Sequence, residues 1–327
     1  MMLRMLGRLF CAVGLGVAAL SAGCSVRQVE LPHDGMVMMS PQNSPLTQRA
    51  DGHGVVRFDA KFTGKTQVFL YDNLAWAFAR MPCVRSDSGT LIMLDTGMNF
   101  PAHVTMDVVV KNQLPAHLGA PIDVAYVPGV KLGPDLAKGF PAQIDSKQWV
   151  LFGLGMPMYR ARGWTFGSPI LSKSEFLAFD SRLERVTIGF DKFQEDKEHK
   201  WISYAMPPNR IGVPMVTIPV AGKDMTMLAD SAGGPRLILN KDDWDKISSG
   251  VVVEKTYKDD YPSWQGSQTM DVYVVKKLTF GPLKFEHEPV WVRNGAMLEQ
   301  IPGFGLGLLK RQVAVWDFGG GKFWIGY

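Results

Sequence analysis

The sequence predicts a mainly β fold built from two similar lobes, and three observations support this class. The chain has 34 Gly and 21 Pro among 327 residues, which is typical of a protein rich in turns and short strands. Hydrophobic residues make up 46% and charged residues 20%, which suits a packed globular body rather than a disordered chain. The third observation is an internal duplication, in which two apolar strands each end in Asp followed by Thr or Ser.

The first 23 residues have the pattern of an export signal. A short basic head containing Arg4 and Arg8 precedes an apolar run of 14 residues, Leu9 to Ala22. A run of this length is too short to span a bilayer comfortably and is typical of the core of a signal peptide. We therefore predict that residues 1–23 are removed from the mature protein.

The end of this signal, Leu20-Ser21-Ala22-Gly23-Cys24, resembles the lipobox of bacterial lipoproteins. The resemblance implies acylation of Cys24 with palmitate or similar chains, and attachment to a membrane of the bacterial cell envelope. Outer-membrane sorting is compatible with Ser25. The alternative is an ordinary secretory signal, which would leave the protein soluble in the periplasm or outside the cell.

The rest of the chain divides into three predicted segments. Residues 24–54 are polar and rich in turn residues, which predicts a flexible tether. Residues 55–200 form the predicted N-terminal β lobe, and residues 201–327 form the C-terminal β lobe. The mixed charge run at 191–200 favours a solvated connector between the lobes.

The two lobes share the same order of landmarks. Leu91–Leu94 is an apolar run that predicts a buried strand delivering Asp95, and Met225–Ala229 predicts a second strand delivering Asp230. In each lobe a Gly turn and then an apolar strand ending in Asp follow at matched distances, at Gly167 and Asp180 in the first and at Gly305 and Asp317 in the second. Matched order and spacing favour a duplication over chance recurrence of a short motif.

These landmarks resemble those of the pepsin-like and retropepsin-like aspartic peptidases. The segments that carry the resemblance are Leu94-Asp95-Thr96-Gly97, Ala229-Asp230-Ser231-Ala232 and the C-terminal Phe304–Asp317. The resemblance implies a two-lobed, aspartic-protease-like β-barrel fold with Asp95 and Asp230 as a catalytic dyad in the cleft. It also implies that the Thr96 and Ser231 side chains bond to the opposite loop's backbone, and that Gly97 permits close approach of the backbone and the substrate. Gly233 is expected to support the dyad by letting the second loop relax around Ala232.

A pair of close carboxyl groups can activate water without a metal or a cofactor. Two carboxylates at short range cannot easily both ionise, so they share one proton, and one acts as base while the other acts as acid. The resemblance therefore implies an aspartic endopeptidase that cleaves peptides or proteins bound in an extended form.

Two residues depart from the family pattern. Ala232 stands where Gly is usual, and Met98 stands where a small residue is usual. These departures keep open an alternative, in which the fold holds an inactive dyad and the protein is a peptide-binding or structural lipoprotein. The candidates for a flap over the cleft are Tyr126 and the exposed hairpin tip at Asp259–Gly266, which also fits a simple surface loop.

Composition excludes several other classes of protein. The formal net charge is only +4, which gives no reason to propose nucleic-acid binding. Of the three Cys, Cys11 lies in the predicted signal and Cys24 is the predicted lipidation site, so we predict no disulfide-stapled scaffold and expect Cys83 to be a small buried residue. The six His lack the spacing of metal ligands, and we therefore predict no metal site. The oligomeric state is left open.

Overall fold

The computed structural model describes twelve segments of the chain. They are residues 36–39, 55–58, 60–70, 72–76, 79–114, 116–117, 124–144, 164–209, 212–232, 237–263, 266–293 and 301–327. The chain divides into two compact units, Met1–Arg57 and Phe58–Tyr327. The predicted signal at 1–23 and Cys24 lie outside the described residues.

The first unit contains a two-stranded sheet. Strand β1 (Met36–Met39) pairs with strand β2 (Val55–Phe58). Part of the predicted tether at 24–54 is therefore a strand, and the remainder of that segment lies outside the described residues.

The second unit holds an eight-stranded sheet drawn from the first half of the chain. In spatial order its strands are β5 (Asp72–Trp76), β6 (Ala79–Arg85), β7 (Leu91–Asp95), β14 (Trp164–Gly167), β8 (Ala102–Val104), β13 (Phe140–Ile144), β10 (Val124–Val127) and β9 (Ala116–His117). Four residues of β7 are buried, as the apolar run Leu91–Leu94 predicts. The strand ends where the chain reaches the half-buried Asp95.

A seven-stranded sheet repeats this arrangement in the second half of the chain. Its strands, in spatial order, are β18 (Met215–Val220), β19 (Lys223–Asp230), β24 (Gly303–Gly305), β20 (Leu237–Asn240), β23 (Leu283–Arg293), β22 (Gly266–Phe280) and β21 (Val253–Ser263). β7 runs parallel to β14, and β19 runs parallel to β24. β14 is antiparallel to β8, and β24 is antiparallel to β20. The predicted duplication is therefore present in the strand order.

A six-stranded sheet joins segments from both halves. Its strands, in spatial order, are β17 (Trp201–Ala205), β26 (Lys322–Gly326), β25 (Val313–Asp317), β15 (Phe176–Asp180), β16 (Arg185–Gly189) and β4 (Gln67–Leu70). At its centre Ala178 pairs with Val315, while Phe176 pairs with Asp317 and Asp180 pairs with Val313. The first residue of β15 pairs with the last residue of β25, and the last residue of β15 pairs with the first residue of β25. The pairing is therefore symmetric between the two halves of the chain.

The remaining elements are short. β11 (Val130–Leu132), β12 (Asp135–Lys138) and β3 (Lys61–Thr63) form a three-stranded sheet. Helices span Met106–Lys111, Ser168–Leu171 and Lys241–Ser248. Two of them directly follow β8 and β20, which are equivalent strands of the two large sheets. Among the described residues, no helix is long and apolar enough to cross a membrane.

Aromatic residues pack the core beside each Asp-bearing strand. Phe166 of β14 is buried and makes edge-to-face contacts with the rings of Phe62, Phe140 and Trp164, with centroids 5.7 to 6.4 Å apart. Phe304 occupies the equivalent place in β24, where its ring contacts two further buried Phe residues, Phe280 and Phe323. These contacts hold β14 and β24, and hence the strands that end in Asp95 and Asp230, in place.

Candidate active site

Asp95 and Asp230 each stand at the end of an apolar strand, partly exposed. Each carboxylate accepts a hydrogen bond from the backbone N–H two residues further on. The Gly97 N–H donates to Asp95 Oδ1 at 2.9 Å, and the Ala232 N–H donates to Asp230 Oδ1 at 2.8 Å. These matched bonds fix one oxygen of each carboxylate against its own loop.

Thr96 and Ser231 lock the two loops together through reciprocal hydrogen bonds. The Thr96 N–H donates to Ser231 Oγ, and the Ser231 N–H donates to Thr96 Oγ1, both at 2.9 Å. The Thr96 hydroxyl donates to the Ala229 carbonyl at 2.9 Å, and the Ser231 hydroxyl donates to the Leu94 carbonyl at 2.7 Å. Both side chains are buried, so water does not compete for these bonds. This is the cross-bonding that the family resemblance implies.

Gly97 brings the Asp230 carboxyl against the loop that carries Asp95. A methyl group at position 97 would lie 2.5 Å from Asp230 Cγ, which is closer than atoms pack in proteins. The Gly97 N–H meanwhile binds the Asp95 carboxylate. Both carboxyl groups therefore contact the backbone of one residue, and only glycine fits between them.

The two departures from the family pattern have structural explanations. Ala232 is buried and packs in an apolar cluster with Cys83, Leu91 and Met93, which come from β6 and β7 of the other half. Its methyl group thus adds an apolar contact between the halves. The Met98 side chain lies over Gly167, since a Cβ at position 167 would be 2.8 Å from Met98 Cε.

Gly167 lies beside Asp95 in the parallel pairing of β14 with β7. A Cβ at this position would lie 2.0 Å from the Phe100 carbonyl oxygen, so glycine is required where the Asp95 loop folds back. The next residue, Ser168, donates its backbone N–H to Met98 O at 2.9 Å and its hydroxyl to Thr96 O at 2.6 Å. The Gly turn therefore supports the Asp95 loop directly.

Two further residues, which the sequence patterns did not predict, support the loops. One is Ser168, and the other is Trp316, whose indole Nε1 donates to the Ala229 carbonyl at 2.9 Å. Both are buried. Each lies next to a landmark of the duplication, Gly167 or Asp317, and this position in the sequence could have indicated a supporting role.

The other predicted residues have varied outcomes. Cys83 is fully buried, as expected, and Gly233 lies outside the described residues. Tyr126 is on β10, opposite Pro141 of β13. Asp259–Gly266 spans the end of the β21–β22 hairpin, which pairs as far as Ser263 and Gly266. Within the segments that the structure describes, no cluster of three or more His, Cys, Asp or Glu could hold a metal ion.

Comparisons with known proteins give structural matches only. Neither the scan against protein-family models nor the search of the curated proteins finds a match. A retropepsin-like aspartic protease from Rickettsia conorii is 19% identical, with 41% of this chain and 96% of that chain covered and a TM-score of 0.29. Basic 7S globulin from soybean is 11% identical, with 81% and 95% covered and a TM-score of 0.47. The EIAV protease, complexed with the inhibitor HBY-793, is 11% identical, with 30% and 85% covered and a TM-score of 0.24.

The strand order of the chain itself identifies the fold class. Each half carries its Asp loop between a strand and a parallel neighbour that ends in Gly, and the loops meet through Thr96 and Ser231. The fold is aspartic-protease-like. The mainly β, internally duplicated architecture predicted from the sequence is confirmed.

Proposed function

We propose that this protein is an aspartic endopeptidase in which Asp95 and Asp230 activate one water molecule. The observation that carries the proposal is the pair of loops joined by the Thr96 and Ser231 bonds, with the Asp230 carboxyl against Gly97. Carboxyl groups held this way face a common space and share a proton. A structural Asp turn on the surface would need neither the buried cross-bonds nor the close approach.

The reaction uses the two carboxyl groups in opposite roles. The ionised carboxylate takes a proton from water while the water oxygen attacks the peptide carbonyl carbon, and the protonated carboxyl gives its proton to the carbonyl oxygen. The gem-diol then gives a hydroxyl proton to the carboxylate that acted as acid, the carboxyl group that took the water proton protonates the leaving nitrogen, and the C–N bond breaks, which returns the dyad to its starting state. An extended substrate suits this site, because its backbone can pair with strands on either side of the cleft.

Substitution of either aspartate tests the proposal. Asp95→Asn and Asp230→Asn each keep the size of the side chain but remove the shared proton, so each is expected to lower kcat at least about a thousandfold. The measurement is digestion of a peptide library by the purified protein without its predicted signal, between about pH 4 and pH 7. This range is chosen because coupled carboxyl pairs titrate under acidic conditions.

Asp224→Asn is the matched control, because Asp224 is exposed on the same strand as Asp230. The Asp224→Asn variant should cleave peptides at the same rate as the unaltered protein. Equal cleavage by all three variants would refute the dyad. Absence of cleavage by the unaltered protein, with peptide still retained, would favour the inactive peptide-binding alternative.

We further propose that Cys24 carries a lipid anchor in the bacterial cell envelope. The proposal rests on the lipobox-like Leu20–Cys24 and the apolar run before it. Cells expressing the full chain should incorporate an alkyne-labelled palmitate into the protein, and Cys24→Ser should abolish the label and release the protein from the membrane fraction. Cys83→Ser is the control, and loss of label in this variant instead would overturn the proposal.

A further inference from the structure

One of the buried positions at which the two halves differ lies directly before the Asp that ends the equivalent strands β15 and β25. Phe179 is the residue before Asp180 in β15, and Trp316 is the residue before Asp317 in β25. Their rings contact each other edge to face with centroids 5.3 Å apart, and both are almost fully buried. A phenyl ring has no hydrogen-bond donor, whereas the indole has one.

The Trp316 donor reaches the peptide that precedes Asp230. Its Nε1–H lies 2.9 Å from the Ala229 carbonyl oxygen, which also accepts the Thr96 hydroxyl at 2.9 Å. Because the peptide unit is planar, two donors on this oxygen fix the Asp230 backbone nitrogen and restrict its Cα. One donor comes from the opposite loop and the other from the six-stranded sheet.

The support of Asp95 is arranged differently. The carbonyl before Asp95, that of Leu94, accepts the Ser231 hydroxyl at 2.7 Å. The Ser168 hydroxyl binds the carbonyl that follows Asp95, that of Thr96, at 2.6 Å. The side-chain donor from outside the two loops therefore binds the carbonyl on the N-terminal side of Asp230, but the carbonyl on the C-terminal side of Asp95.

We propose that Trp316 is a positioning residue that sets the orientation of the Asp230 carboxyl and makes the two aspartates inequivalent. This proposal rests on the proposed peptidase function. A shared proton requires one carboxyl group to act as base and the other as acid, and unequal backbone support supplies a fixed difference between them. Trp316 does not touch the reacting atoms.

Trp316→Phe removes the donor and places the residue of the other half at this position. Trp324→Phe is the matched control, since Trp324 lies on the neighbouring strand and donates to Asp317 Oδ2 at 3.2 Å, in the closing turn. We expect Trp316→Phe to lower kcat about tenfold with KM nearly unchanged, because misplaced catalytic groups cost up to about a hundredfold. Its pH–rate profile should be displaced, whereas that of Trp324→Phe should not.

Thermal unfolding of Trp316→Phe and Trp324→Phe shows how much each substitution lowers stability, so that a loss of kcat caused by misplacement of Asp230 can be distinguished from a loss caused by unfolding. Equal kcat values and pH profiles for the two variants would overturn the proposal. If Trp316→Phe does not fold, benzothienylalanine at position 316 keeps the bicyclic ring and removes only the N–H donor.

A second readout does not require turnover. In protein labelled with ¹³C at the aspartate carboxyl groups, Trp316→Phe should change the NMR titration of Asp230 more than that of Asp95. An unchanged Asp230 titration would overturn the inference. Absence of cleavage by the unaltered protein, together with a changed Asp230 titration, would refute the peptidase while leaving the positioning role supported.

Discussion

At the scale of single residues, the candidate site depends on two hydroxyl groups that each donate one hydrogen bond and accept another. Thr96 and Ser231 bond to four backbone groups, and one of these, the Ala229 carbonyl, also accepts the Trp316 indole N–H. Each unpaired buried group costs about 1–3 kcal/mol. The side chains that follow the two aspartates are therefore as important to the geometry of the site as the carboxyl groups.

A double-mutant cycle tests this coupling. Thr96→Val and Ser231→Ala should each lower the free energy of unfolding by about 1–3 kcal/mol, because each removes the hydroxyl that accepts a buried N–H of the opposite loop. The double variant should lose less than the sum, with a coupling energy above about 0.5 kcal/mol, because the residues share bonds. Urea unfolding gives all three values.

Thr217→Val provides the control for this cycle. The Thr217 hydroxyl bonds to the Thr226 hydroxyl at 2.9 Å on an exposed face, so its loss should change the free energy of unfolding by less than about 0.5 kcal/mol. Strict additivity of the Thr96 and Ser231 effects would contradict the coupling of the loops.

At the scale of elements, the three-stranded sheet contains a buried carboxyl group that binds a neighbouring connection. Asp135 of β12 is fully buried, accepts the Lys65 N–H at 3.0 Å, and lies against Gly64, where no Cβ would fit. Its Oδ2 has no hydrogen-bond partner among the residues that the structure describes. Burial raises the pKa of Asp135, and the bonds from Gln67 and Lys65 offset only part of this rise.

The raised pKa predicts how stability depends on pH. Since the folded protein binds the Asp135 proton more tightly than the unfolded chain, this group favours folding most below about pH 4, the range of an unfolded aspartate. Its contribution falls as the pH rises through the higher pKa of the folded state. Asp135→Asn should remove this fall, so the difference in the free energy of unfolding between the variant and the unaltered protein should change with pH.

Urea unfolding at several pH values from about 3 to 8 measures this difference. This pH range includes the usual pKa of an aspartate and the values above it. A difference that is flat across this range would show that burial of the Asp135 carboxyl group does not perturb its titration.

At the scale of the whole molecule, the duplication preserves the strands around the Asp loops and varies the outer hairpins. The sheet of the first half has the additional strand β5, and its β9 and β10 have two and four residues. Their equivalents in the second half, β21 and β22, have 11 and 15 residues. The loops need a fixed neighbour to stay in register, whereas outer hairpins can lengthen freely.

Local patterns in the sequence predicted several elements well. Leu91–Leu94 forms the buried part of β7, as its apolar residues predict. The helix at Lys241–Ser248 begins directly after Asn240, a residue type that favours the N-cap position. Asn240 occupies the N-cap position of this helix, but its side chain makes no capping hydrogen bond. Its Oδ1 is buried without a partner in the described part of the chain. Residue type thus agrees with the position of the cap but does not specify its hydrogen bonds.

The sequence by itself determined the mainly β class, the duplication and the two Asp loops, because alternating and apolar runs, turn residues and matched spacing are local properties of the chain. Only the tertiary structure decided which further groups, beyond Thr96 and Ser231, support the loops. The Ser168 and Trp316 bonds join residues 72 and 87 positions apart, and their partners are backbone carbonyls that no side-chain motif marks. Such contacts arise from the packing of strands, so residue order alone does not specify them.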